Sequence, residues 1–342
     1  MSFACDISRQ VIRFVRILPN PLDVLALRVY NKAFKMLAGN THTARAYFGS
    51  IFACDIDDLI QRTIFYFGIW EPMISHLTEQ ILREGDVYVD MGANIGYDSL
   101  LASKRVGRSG KIVSIEASPK ICALLSDNVT INGVSNIRII NKAVSDRGKL
   151  LAIYGGGSQN IGKTTTIEAR GLPIECCIEA LPIEEILTPD EINRVRLFKI
   201  DIEGAELLVL NHLLDTLSKY PEDFAIIVEA SVHENPREWT NVFRRMQEAG
   251  FVAFEIENRY ELDWYIRYQN HSPVKLTKTL PNGRTDILFI RTALVTAVVG
   301  PPNFDLTKSV SCDSHLNIED SPRTATMAIR GEVQSDLFVT WA

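Results

Sequence analysis

Several large protein classes are closed to this chain by what it lacks. Its six cysteines are Cys5, Cys54, Cys122, the adjacent Cys176 and Cys177, and Cys312, with no Cys-x-x-Cys spacing among them. That distribution suits neither a zinc site nor the disulfide framework of a secreted domain, so the cytoplasm is the expected compartment. A long uncharged apolar run is missing too. Val11–Leu18 comes nearest, but Arg13 and Arg16 interrupt it and Pro19 and Pro21 close it. No transmembrane segment or signal-peptide core is expected there; a leading helix packed on the core, or a basic amphipathic helix in peripheral contact with a membrane, are the readings left. Basic charge is scarce: 36 Lys and Arg stand against 42 Asp and Glu, for a net charge of −6. Broad nucleic-acid surfaces depend on clustered Lys and Arg to displace counterions, so no nucleic-acid partner is expected.

What the chain has is material for a core. At 342 residues, 46% hydrophobic and 23% charged, it can bury one large α/β core and carry extra segments at each end. The most informative stretch runs from Asp86 to Ala102: a short apolar strand ending on Asp90, a turn with Gly92 and Gly96, then a helix start. This is the ligand-binding crossover of an α/β nucleotide fold. The full Gly-x-Gly-x-x-Gly that cradles a dinucleotide pyrophosphate is absent. A second strand, Lys111–Glu116, also ends on an acid. The ordered set fits S-adenosylmethionine, which has no phosphate but carries a sulfonium and an ammonium. Asp90 would help hold the methionine portion, Gly92 would let backbone approach the ligand, and Glu116 would accept from both ribose hydroxyls. The blander reading has Gly92 and Gly96 serving tight strand-to-helix packing and Asp90 capping the helix.

Strand and helix signals then alternate. Strands are expected ending at Asp90, Glu116, Asn141, Asp201 and Glu229, followed by Val252–Ile256 and Asp286–Arg291, with helices between them. That order means a doubly wound, mostly parallel sheet with helices on both faces and ligands outside the carboxyl ends of its strands. Before it, residues 1–82 read as a helical N-terminal extension with a short hairpin around Gly49; residues 83–292 form the ligand-binding domain; residues 293–342 form a tail with partial order. In Asp201-Ile-Glu-Gly-Ala-Glu206, Glu206 reads as a helix-end acid. Asp201 and Glu203 face the cleft mouth, where a carboxylate can take a hydroxyl proton during methyl transfer. Metal coordination competes for the same pair, although no complete ligand set for a required metal is visible. Glu229 and His233 are candidates for the acceptor; a solitary loop histidine is also a common surface residue.

One motif argues for a different class. Gly157-Ser-Gln-Asn-Ile-Gly-Lys-Thr164 satisfies the phosphate-loop pattern letter for letter. Such a loop must run directly into a helix, yet Thr164, Thr165, Thr166 and Ile167 follow one another, then Gly171 and Pro173, which favours strand or loop. A P-loop nucleotide-binding protein is therefore the alternative function, beside a non-catalytic ligand-binding module of the same fold.

Asp90-Met-Gly-Ala-Asn-Ile-Gly96, Phe198-Lys-Ile-Asp-Ile-Glu-Gly-Ala-Glu206 and Tyr66-Phe-Gly-Ile-Trp-Glu-Pro72 together resemble the FkbM-type methyltransferases, over about Tyr47 to Arg291. The resemblance implies a class I methyltransferase-like, Rossmann-like sheet of seven strands, S-adenosylmethionine as donor, and a hydroxyl acceptor on a sugar, polyketide or lipid-like small molecule. It assigns Asp90, Gly92, Asn94, Gly96 and Glu116 to the donor. By the same resemblance, Asn141 and Ala143 border the adenine, or merely shape a loop, and Trp70 and Glu71 line the acceptor pocket, or serve as a packed aromatic and a helix cap before Pro72.

Overall fold

The computed structural model describes residues 39–155, 165–166, 171–261, 264–265, 274–277, 279–281, 283–299 and 338–339, together with Tyr30 and Leu37. The helix expected near Val11–Leu18, the helix that the sequence predicts over Leu22–Leu37 apart from Tyr30 and Leu37, the Gly157–Thr164 loop and most of the tail lie outside the described residues. Strands β1 (Thr41–Arg45) and β2 (Ile51–Asp55) form a hairpin, followed by helices α1 (Leu59–Phe67) and α2 (Pro72–Ile81). Then come β3 (Val87–Met91), α3 (Tyr97–Val106), β4 (Lys111–Ile115), α4 (Pro119–Asn132) and β5 (Ile137–Ile140). An excursion follows, made of β6 (Ala143–Val144), β7 (Lys149–Tyr154), β8 (Ile174–Leu181), α5 (Ile183–Ile186) and α6 (Pro189–Arg194). The alternation resumes with β9 (Val195–Ile200), α7 (Glu206–Asp215), β10 (Ala225–Ser231), α8 (Pro236–Glu248) and β11 (Phe251–Ile256). It closes with β12 (Val274–Thr277), β13 (Arg284–Arg291), α9 (Thr292–Val299) and β14 (Phe338–Val339).

All seven expected strands pair in one sheet, in the order β5-β4-β3-β9-β10-β13-β11, and two more, β12 and β14, extend its edge to nine. β5, β4, β3, β9 and β10 are mutually parallel, whereas β13 runs antiparallel to both β10 and β11. The expectation of seven strands is thus short by an edge pair. Two further departures concern the insert between β5 and β9 and the end of the core. The excursion after β5 forms a separate three-stranded sheet in the order β6-β8-β7, and Thr292–Val299, assigned almost wholly to the tail, is a helix. Leu294 and Val295 are buried there against the core, because an apolar segment directly after a strand paired on both sides removes apolar surface from water by folding back onto the sheet.

Strands buried on both faces read as continuous apolar runs, and their alternation decides what each face touches. Val87, Val89 and Met91 of β3, with Phe198 and Ile200 of β9, pack with α7 and α8 residues such as Val209, Leu213, Val242 and Met246. Tyr88 and Leu197 point the other way, into the layer of Met73, Leu77, Ala102 and Val106 from α2 and α3. Local sequence sets the ends of these helices. Ser118 caps α4 by accepting from the Ile121 N–H, with Pro119 in the first turn and Gly133 left-handed at its end; Asp58 and Gly68 frame α1 in the same way.

Candidate active site

The order of the sheet changes direction between β3 and β9, and a cleft of about 360 Å³ opens there, at the carboxyl ends of β3, β4, β9 and β10. On the β4 side its wall is apolar, with Ile115, Ile121, Ala143, Val144 and Ile153, and Glu116 is set into it. The Glu116 carboxylate is 7% exposed; Oε2 accepts from the Asn94 N–H at 2.9 Å and Oε1 from the Ser118 N–H at 2.9 Å. Each oxygen keeps further lone-pair capacity toward the cleft. Asn94 reaches this contact from a left-handed conformation, φ 48°.

Of the residues assigned to the donor from sequence, Gly92, Asn94, Glu116 and Ala143 line the cleft. The other three act elsewhere. Asp90 is 1% exposed and is not among the lining residues. Strand alternation puts it on the same face as Tyr88, under α3, where its Oδ2 accepts from Ser99 Oγ at 2.5 Å. Gly96, with φ 86°, starts α3, and a Cβ there would meet Leu125 Cδ1 at 2.4 Å, so it serves helix packing. Asn141 is exposed and donates from Nδ2 to the carbonyls of Glu116, at 2.8 Å, and Ala117, at 3.2 Å; it braces the turn that carries Glu116. Gly92 is itself a correction in part. A Cβ on it would sit 1.7 Å from the Asp201 carbonyl oxygen, so the backbone that approaches it closely is that of the neighbouring strand.

On the β9–β10 side the cleft is polar. Trp70, Glu71, Asp201, Glu203 and Glu229 all line it, as the sequence suggested, whereas His233 is exposed in the turn Val232–Glu234 and is not among the lining residues. Glu71 occupies the N-cap of α2 but makes no side-chain cap bond. Its Oε1 accepts from the Tyr260 hydroxyl at 2.9 Å, and Trp70 stacks on Tyr260 with ring centroids 5.3 Å apart. Oxygens of Asp201, Glu203 and Glu229 converge within 4.8 Å of one another. Arg284 enters this acid group as its cation, donating to Glu203 at 2.7 Å and to Glu229.

Sequence reasoning missed Arg284, Tyr260, Asp98 and Lys199. Lys199 was visible as a lone cation in the apolar stretch Leu197–Ile200. It is the register partner of Asp90 across β3 and β9, and its Nζ lies 3.1 Å from Asp201 Oδ2 and 3.5 Å from Asp98 Oδ2. Those acids hold its pKa well above the ordinary lysine value despite burial. Burial pushes the Glu116 and Glu71 carboxyls up to about 7, Asp98 up to about 6 and Asp286 up to about 8.

A pH dependence of stability follows. An acid whose pKa is higher folded than unfolded binds more protons in the native state, so its contribution is complete below the unfolded pKa and is lost as pH rises through the folded one. That window runs from the ordinary carboxylate range to about 7 for Glu71 and Glu116 and to about 6 for Asp98. The unliganded protein is expected to melt at a lower temperature at pH 8 than at pH 5.5, and Glu116→Gln should flatten the slope. A melting temperature that rises across this interval would contradict the burial of these acids.

Residues 90–253 match the model of the methyltransferase FkbM domain. The segment is an FkbM methyltransferase domain. Methyltransferase sdnD of Sordaria araneosa is 27% identical over 151 residues, covering 36% of this chain and 58% of that protein. Protein-L-isoaspartate O-methyltransferase 2 of Archaeoglobus fulgidus is 34% identical over 59 residues, 17% of this chain and 27% of its own. The chain thus spans less than two thirds of either relative. Among solved structures, an O-methyltransferase of Thermotoga maritima shares 13% identity at a TM-score of 0.37, covering 73% of this chain and 77% of its own. An rRNA methylase of Streptococcus thermophilus shares 9% at 0.36, covering 65% and 98%. The fold assignment rests on the strand order rather than on these distant likenesses. Trp70, Glu71, Tyr260 and Arg284 lie outside the matched FkbM segment, whereas Asp98, Lys199, Asp201, Glu203 and Glu229 lie within it, so flanking sequence completes the polar half of the cleft.

The phosphate-loop alternative meets a geometric obstacle beside the undescribed residues. Thr165 forms an antiparallel bridge with Tyr154, N–H to carbonyl at 2.9 and 3.0 Å in the two directions. A phosphate loop needs helix at that point. Moreover, β7 belongs to the small sheet, not to the parallel one. No described helix is long and apolar enough to cross a membrane.

Proposed function

We propose that the chain transfers the methyl group of S-adenosylmethionine to a hydroxyl of a small molecule of the sugar, polyketide or lipid-like kind. The observation that carries the donor is Glu116, a buried carboxylate at the tip of β4 with one backbone N–H on each oxygen and spare acceptor capacity facing the cleft. A vicinal diol such as that of ribose suits this arrangement, and the apolar wall beside it suits a purine. The bound donor would supply an electrophilic methyl on a cationic sulfur. The FkbM domain and the acid-rich cleft are consistent with such a ligand. On the acceptor side, Asp201 and Glu203 stand at the mouth, with Lys199 and Arg284 holding one oxygen of each. In this reading Asp201 takes the hydroxyl proton, Glu203 and Glu229 orient the acceptor, and Trp70 forms its wall. A small-molecule acceptor and a cytoplasmic setting belong to the same proposal and rest on the charge balance and cysteine usage.

Calorimetry with S-adenosylmethionine and S-adenosylhomocysteine tests the donor. Binding is expected, with Glu116→Ala weakening it by about 1–3 kcal/mol through loss of charge-assisted hydrogen bonds. Tight binding of NAD or ATP with no response to the methyl donor would sink the reading. Mass spectrometry of cell extract incubated with isotopically labelled donor then identifies the acceptor. Donor binding without any labelled product would leave a ligand-binding module of the same fold.

A further inference from the structure

The residue expected to hold the methionine portion, Asp90, is sealed beneath α3, so a different group must hold it if the donor binds. Asp98 and Lys199 line the cleft on the β3–β9 side, and Glu71 joins them from the start of α2. Lys199, Asp98 and Glu71 are 5%, 6% and 3% exposed. Each acid has one engaged oxygen: Glu71 Oε1 accepts from Tyr260, and Asp98 Oδ2 faces Lys199. The second oxygen of each, Glu71 Oε2 and Asp98 Oδ1, is buried with no hydrogen-bond partner among the described residues. Glu116 and Glu229, by contrast, are already held by backbone N–H groups or by arginine.

Buried carboxylate oxygens without partners cost desolvation free energy that a bound donor group can recover. Glu71 is also held at φ 43°, a conformation unfavourable for a residue with a side chain, and such strain persists where the surroundings over-determine it. Here the determinants are Tyr260 on its carboxylate and the Tyr265 hydroxyl on its backbone N–H at 3.4 Å. One buried ammonium beside two such acids complements a zwitterion: of the three Lys199 N–H donors, Asp201 and Asp98 engage two and leave one for a carboxylate, while the acids offer two open carboxylate oxygens to an ammonium.

We propose that Lys199, Asp98 and Glu71 form a built subsite for an α-amino-acid head, Lys199 facing its carboxylate and the two acids its ammonium, and that this trio rather than Asp90 holds the methionine portion of the donor. The subsite rests on the donor reading above. It involves binding only, with no bond made or broken.

The test compares S-adenosylhomocysteine with 5′-methylthioadenosine, which keeps the nucleoside and thioether but lacks the amino-acid head. By calorimetry the wild type should bind the former at least about tenfold more tightly, the order of magnitude expected of charge-assisted hydrogen bonds. Glu71→Gln and Asp98→Asn should each remove most of that ratio while leaving 5′-methylthioadenosine affinity unchanged, which also reports that both variants are folded. Glu116→Ala should weaken both ligands alike. An unchanged ratio in both variants, or no preference in the wild type, overturns the subsite while the donor reading stands. Failure of the wild type to bind either nucleoside overturns both.

Discussion

Replacing Gly92 by alanine is expected to destabilise the protein by at least about 3 kcal/mol and to abolish donor binding, an effect larger than its single added methyl suggests. Two costs combine. The residue sits at φ +85°, where a side chain is unfavourable by roughly 1–2 kcal/mol. The new Cβ would also lie 1.7 Å from the Asp201 carbonyl oxygen and 2.7 Å from its carbonyl carbon. Backbone cannot rotate away as a flexible side chain can, so the ends of β3 and β9 must separate, straining the Asp201 N–H to Met91 carbonyl bond of 2.9 Å. Gly133 supplies the control, since it is also left-handed, at φ +60°, but has nothing within 4 Å of a built Cβ. Gly133→Ala should therefore show only the conformational cost, about 1 kcal/mol. Urea unfolding of the two variants decides the matter. Equal losses would mean that the close contact of the two strand ends does not govern the site.

The same glycine shows where sequence reasoning succeeds and where it stops. A strand, a Gly-bearing turn and a helix are local, and they are found where the pattern of residues 86–102 places them. The partner that makes Gly92 obligatory lies more than a hundred positions downstream, on a strand whose adjacency no local pattern reveals. Asp90 illustrates a different loss. Its place at the end of a strand was readable, but its direction depends on which face α3 covers. Alternation from Tyr88 already implied that Asp90 shares the buried face. Lys199 was readable as an anomaly, a cation in a strand otherwise apolar apart from Arg196. Its role emerges only from register, which sets it opposite Asp90, just as register sets Asp286 opposite Glu229. Tyr260 and Arg284 had no local signature. They reach the cleft because β13 lies beside β10, and β11 beside β13, in the folded sheet. The apolar run Leu150–Tyr154 reads as a strand and is β7, but the two edge strands and the other members of the small sheet, β6 and β8, were illegible, because short strands acquire their identity from partners.

The second large effect concerns chemistry. In-line methyl transfer to oxygen is accelerated mainly by holding the reacting atoms in near-attack geometry, where positioning is worth effective molarities of about 10⁵ M or more. An un-ionised hydroxyl is nevertheless a poor nucleophile, and a placed carboxylate adds roughly 10²–10⁴-fold by taking its proton as the bond forms. Asp201 is well placed to do so, because it ends β9 at the cleft, is half-buried, and has Oδ2 fixed by Lys199 from 3.1 Å. Asp201→Asn keeps shape and hydrogen-bonding capacity but cannot accept the proton, so turnover should fall by about 10²-fold or more while donor affinity shifts by less than about threefold. Glu203→Gln should reduce turnover less. Its carboxylate is already engaged by Arg284, at 2.7 Å, and its backbone carbonyl accepts from Thr165 Oγ1 at 2.5 Å, so its role is to position that wall. Turnover is read with the acceptor found in labelled-donor extracts, and affinity by calorimetry on the same preparations. Full turnover in both variants, or an acceptor whose reacting atom is nitrogen or carbon, would remove the proton-transfer role from the acidic turn. It would leave Glu116 and the β4 side of the cleft untouched, because the geometry that recommends them for the donor does not depend on how the acceptor loses its proton.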